Sequence, residues 1–149
     1  MKRGGERGNS TVEFAFAAMA LLLFVFGILE FGRALYTYHT VSNLARLGTR
    51  WAIVRGSGCT TQNVLDNCPA TQAEVQTYVQ SQAFALMNTG NITAVTQWPG
   101  TPTATCTNGS NGRGCLVTVT VSYPFQFWVP LIGSQGPTIS STSQMIISN

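Results

Sequence analysis

The hydrophobic pattern divides this chain into three successive regimes. From position 14 to 29 the sequence FAFAAMALLLFVFGIL runs for sixteen residues without a charge. With Thr11, Val12 and Phe31 at its ends it reaches the ~20 residues that a helix needs to cross the core of a bilayer. From 34 to 54 the continuous run gives way to a two-faced one. At about 100° per residue, Ala34, Tyr38, Val41, Leu44, Ala45, Leu47, Gly48, Trp51, Ala52 and Val54 form a broad apolar face. His39, Ser42, Asn43, Arg46, Thr49 and Arg50 form a narrower polar stripe, on which His39 reads as solvent-facing. One helix from about 10 to 53 is expected, ~65 Å long at a rise of ~1.5 Å per residue. Arg55-Gly56-Ser57-Gly58 ends it, and its outer half needs a cover for the apolar face.

The third regime is mixed. Thr71-Gln72-Ala73-Glu74 is a capping box that predicts a second helix, with Val75, Tyr78, Val79, Leu86 and Met87 as its packing stripe and Gly90 as its stop. Strand-like alternation follows over 92–98, over 116–123 with Val117, Val119, Val121 and Tyr123 on one face, and over 139–147. Asn108-Gly109-Ser110-Asn111-Gly112 has the composition of a hairpin tip. The segment PFQFWVP, 124–130, is aromatic and bounded by prolines, which predicts a loop that plugs the core. The expected class is α+β: a long transmembrane and amphipathic N-terminal helix packed on a small antiparallel sheet of about three strands, with a second short helix. By segment, 1–8 is a basic leader, 9–55 the helix and 56–149 an extracytoplasmic, disulfide-bearing domain.

Charge and cysteine usage sharpen this outline. Lys2, Arg3, Glu6 and Arg7 crowd the start, whereas 56–149 holds only Asp66, Glu74 and Arg113. No basic face for nucleic acid can be built after Arg55, which excludes a nucleic-acid binder. The basic tail places the N-terminus on the cytosolic side and the rest beyond the span. The apolar run leads into Glu30 without an A-x-A cleavage pattern, so it is expected to stay attached. Cys59, Cys68, Cys106 and Cys115 form two pairs, each with eight intervening residues, and in an exported domain such spacing reads as the bridges Cys59–Cys68 and Cys106–Cys115. The second bridge is expected to pin two strands in register across the base of the hairpin. The spacing does not suit zinc, and the sole histidine lies on the helix.

No catalytic set can be assembled from one histidine, one aspartate and, beyond the span, one glutamate. G-x-G-x-x-G, P-loop and H-E-x-x-H motifs do not occur, so the chain reads as no enzyme and as one without cofactor or metal. Asn91-Ile92-Thr93 and Asn108-Gly109-Ser110 fit the glycosylation sequon, a pattern short enough to recur by chance in a Thr-rich chain. The residue out of place is Glu13, at the mouth of the apolar run. Carboxylates in membrane segments are costly and usually functional, although a side chain at a helix end can also snorkel to the headgroups.

Arg7-Gly8-Asn9-Ser10-Thr11-Val12-Glu13-Phe14-Ala15 resembles the prepilin cleavage and assembly motif of type IV pilin-like proteins, which are cut after a glycine and carry Glu at the fifth mature position. Gly27-Ile28-Leu29-Glu30-Phe31-Gly32-Arg33-Ala34-Leu35-Tyr36 and Asn43-Leu44-Ala45-Arg46-Leu47-Gly48-Thr49-Arg50-Trp51-Ala52 resemble the TadE-like family, minor pilins or pseudopilins of the tight-adherence (Tad/Flp) system. The resemblance covers roughly 7–53.

The resemblance implies a pilin-like architecture and processing between Gly8 and Asn9 by a prepilin peptidase. It also implies Glu13 as an assembly residue and a place in an oligomer or filament. The implied partners are the peptidase, other pilus subunits, the inner-membrane assembly platform and, through 11–31, the lipid bilayer. The implied location is the bacterial inner membrane, N-terminus cytoplasmic and outer domain periplasmic, with incorporation into an extracellular pilus. The alternative is an unprocessed, single-pass membrane protein whose outer domain binds a ligand.

Overall fold

The computed structural model of the chain describes residues 6–59, 67–83, 87–100, 106–128 and 133–148, with residues 6–9 as backbone only. Lys2 and Arg3 of the expected leader, Asp66, Leu86, and Val129 and Pro130 of the aromatic segment lie outside the described residues.

The architecture is α+β. Helix α1 spans Glu6–Ile53, 48 residues, or ~72 Å at ~1.5 Å per residue. Helix α2 spans Gln72–Ser81. Three strands, β1 (Thr93–Gln97), β2 (Leu116–Gln126) and β3 (Gln135–Ile146), make an antiparallel sheet in the order β1-β2-β3. Register runs from Thr93↔Ser122 to Gln97↔Thr118 on one side of β2 and from Leu116↔Ile146 to Pro124↔Thr138 on the other.

The core lies between the outer half of α1, α2 and one face of the sheet. Val117, Val119 and Val121 of β2 are fully buried, as are Val41 and Ala45 of α1 and Val75 and Val79 of α2. Alternation on β2 puts the three valines on one face, and each buried aliphatic side chain of this size contributes ~1.5–3 kcal/mol. At Gly48 α1 comes close to α2 and β2: a Cβ there would sit 2.8 Å from Val79 Cγ2 and 3.2 Å from Val119 Cγ1. The far end of α1 is tied down by Ser148, whose N–H donates to the Ile53 carbonyl at 3.0 Å, and by the Trp51–Tyr78 stack at 5.4 Å, with the Arg55 guanidinium 4.2 Å above the Trp51 ring.

Several details differ from expectation. Thr49, placed on the polar stripe, is completely buried: its hydroxyl donates to the Ala45 carbonyl at 2.8 Å and approaches the Ser143 carbonyl at 3.3 Å. A threonine satisfied by its own helix packs like valine. Tyr38 and Val54, placed on the apolar face, are exposed. Tyr38 and Thr49 lie within ~20° of one another on the helix wheel, but Tyr38 is exposed while Thr49 lies against Ser143 of β3.

Helix α2 starts at the capping box, with Thr71 N–H donating to Glu74 Oε2 at 2.8 Å and Glu74 N–H to Thr71 Oγ1 at 3.4 Å, but it stops at Ser81 rather than near Gly90. Gln82 closes its last turn through the Tyr78 and Val79 carbonyls, and Gly90 sits instead in a 3-10 turn, Thr89–Asn91. The aromatic segment is strand rather than loop as far as Gln126. Pro124 is tolerated because β1 reaches only to Ser122, which leaves β2 paired on one side beyond it. Within that segment Phe125 is buried and Trp128 is exposed.

Cys59 is bonded to Cys68, and Cys106 to Cys115. Cys106 lies outside the strands, so its bridge ties the returning loop to the residue before β2. The strands are held in register by their own ladder.

Candidate functional site

Gly8, Asn9 and Glu13, the residues for which the resemblance implies processing and assembly, all fall at the start of one continuous helix, α1. The Gly8–Asn9 bond is in the first turns of α1. Glu13 follows about one turn after Asn9, on the same face by i, i+4 spacing, and its side chain is exposed. From Val12 to Phe31 the large apolar side chains are exposed as well: Phe14 73%, Phe16 70%, Phe24 75% and Phe31 64%. This helix is long and apolar enough to cross a membrane. Glu13 is therefore the acidic group at one end of an uncovered apolar cylinder.

At the other end of the cylinder the chain has built a polar clasp. Glu30, one residue past the sixteen-residue run, accepts from Arg33 Nη1 at 2.7 Å through one carboxylate oxygen and from the Trp128 N–H at 2.8 Å through the other. Arg33 also reaches the Gln126 carbonyl at 3.3 Å, and its guanidinium carbon lies 3.9 Å from the Trp128 ring centroid and 5.2 Å from that of Phe125. The pair is shielded, with the Glu30 side chain 12% and that of Arg33 30% exposed. One helical turn thus holds the end of β2 and the residues just after it, by charge-assisted hydrogen bonds to backbone and by cation–π contact. Sequence reasoning singled out Glu30-Phe31-Gly32-Arg33 but not its partners, because Gln126 and Trp128 are more than ninety residues away.

The second motif divides by face. Leu44, Ala45 and Gly48 are buried, whereas Asn43, Arg46 and Arg50 are exposed. Inward positions dock the sheet and α2, and outward ones leave a polar stripe that continues His39. The four cysteines are all in bridges, and the described residues hold no cluster of three or more His, Cys, Asp or Glu that could bind a metal.

The family model described as TadE-like protein matches residues 8–50. No curated protein and no solved structure matches the chain. The similarity is confined to a stretch that begins at Gly8, contains Glu13 and the Glu30–Arg33 clasp, and ends within α1. The match suggests a protein associated with the tight-adherence pilus.

Proposed function

We propose that this chain is a minor pilin or pseudopilin of a bacterial Tad/Flp type IV-like pilus, a structural and assembly subunit used in adhesion and secretion rather than an enzyme. The observation that carries this reading is the TadE-like match opening at Gly8, with Glu13 exposed at the mouth of a helix able to cross a membrane. In the proposed topology the basic leader stays cytoplasmic and the disulfide-bonded domain is periplasmic.

A prepilin peptidase hydrolyses the Gly8–Asn9 peptide bond, which removes the leader and frees the α-amine of Asn9. That amine is a cation able to pair with the Glu13 carboxylate. A charge held at the membrane edge is stabilised when it is paired, so processing couples to assembly if Glu13 of one subunit takes the amine of a neighbour. The amine of its own chain is the competing partner, since Asn9 and Glu13 are i, i+4 neighbours.

Glu13→Val tests the assembly role. The substitution makes the run more apolar, so insertion and cleavage persist, while co-fractionation with other pilus subunits falls, and so does piliation where this subunit is required. A variant that is cleaved, stable and normally associated removes Glu13 from assembly.

A further inference from the structure

We propose that Trp128 and Phe127, with Tyr36 of α1 beside them, form a seat by which the outer domain rests on the phospholipid surface of the bilayer that α1 crosses. The inference depends on the reading of α1 as a membrane span and adds to it a second contact, made by the sheet.

Depth is the first argument. Residues 11–31 cover ~31 Å as helix, about the thickness of a hydrocarbon core, so Glu30 lies where the acyl chains give way to headgroups. The Trp128 N–H is hydrogen-bonded to that residue at 2.8 Å, which sets Trp128 at the same level although it is 98 positions further along the chain.

Exposure and charge are the second. The Trp128 ring is held against Arg33 at 3.9 Å yet remains 74% exposed; Tyr36 is 42% exposed and Phe127 is half-buried. An ordered indole presented to the outside at this level has the amphipathic chemistry of an interfacial residue, with an apolar ring and one N–H donor. The charges at this level are paired, Arg33 with Glu30, and the sequence after Arg113 carries no charged residue.

Continuity is the third. A mainly apolar cleft of about 1190 Å³ is lined by Met19, Leu22 and Phe26 of the uncovered helix and by Phe125 and Trp128 of the sheet end. Its walls run from the acyl-chain zone to the aromatic rim and turn polar at the level of the clasp, where Glu30, Arg33 and Gln126 also line it, which suits a lipid chain below a headgroup.

The test uses the full chain in phosphatidylcholine/phosphatidylglycerol vesicles, with Trp51→Phe and Trp98→Phe so that only Trp128 emits. The difference between wild type and Trp128→Phe gives the same signal if the double variant folds poorly. Lipids brominated near the headgroup end of the acyl chain are expected to quench roughly half of the Trp128 emission, as an interfacial indole requires, and lipids brominated near the methyl end less. Suppose the protein resists carbonate extraction but Trp128 emits as in water and is quenched only by iodide: the seat is then wrong and the span stands. Shielding from both quenchers would mean a protein contact, such as a second copy, and also overturns the proposal. Extraction by carbonate would overturn the span and the seat together.

Discussion

Phe14, Phe16 and Phe24 are 73, 70 and 75% exposed on α1, whereas Val41, Leu44 and Ala45, on the same helix, are buried to 1% or less. The two halves differ in what lies beside them. The outer half carries its partner on the same chain, in α2 and the sheet; the inner half has none among the described residues. Burying apolar surface gains free energy in proportion to area, so the inner half needs an apolar medium or a neighbouring helix, while the outer half is already satisfied. Large side chains suit the first role. The second also needs a small residue at Gly48, where α2 and β2 close on the helix.

The comparison predicts that the outer domain is sensitive to one half and blind to the other. Leu44→Ala opens a cavity in the core and should cost ~2–5 kcal/mol, lowering the unfolding midpoint of the full chain in detergent by at least ~8 °C, as read by near-ultraviolet circular dichroism. Leu22→Ala should leave that midpoint unchanged to within the ~0.5 kcal/mol of an ordinary surface substitution. Equal losses would show that the halves are one cooperative unit.

Glycine gives a narrower version of the same contrast. Gly48→Val forces Val79 and Val119 aside and should cost ~1–3 kcal/mol by overpacking, whereas a Cβ at Gly27 meets nothing within 4 Å, so Gly27→Val should be silent in the same melt. Smaller still, Thr71→Ala removes the side-chain acceptor of the α2 capping box and should lower stability by ~1 kcal/mol; no change would mean that packing of Val75 and Val79 alone holds the first turn.

What the sequence made legible follows from the range of the interactions. The apolar run, the capping box and the alternation of Val117, Val119 and Val121 are local patterns, and each has its element in the structure. Thr49 misled because a helical wheel scores its hydroxyl as polar, while the hydroxyl is satisfied within the helix at Ala45. Gly90 does not end α2, because glycine is only one way to stop a helix and Gln82 closes it sooner. Pro124 argued against a strand where pairing on one side was enough. The Glu30–Arg33 clasp was visible only as a motif; that it grips Gln126 and Trp128 depends on the whole fold bringing the end of β2 to the helix, which no spacing encodes. The roles proposed for Gly8, Asn9 and Glu13 rest on family likeness, since their geometry is that of any helix start.

That processing claim is therefore the one to test directly, by mass spectrometry of the N-terminal peptide of protein taken from native membranes. The account predicts a chain beginning at Asn9, and accumulation of uncut precursor when Gly8→Val places a branched side chain beside the scissile bond. A chain that still carries Arg7-Gly8 ahead of Asn9 in cells containing a prepilin peptidase would contradict it.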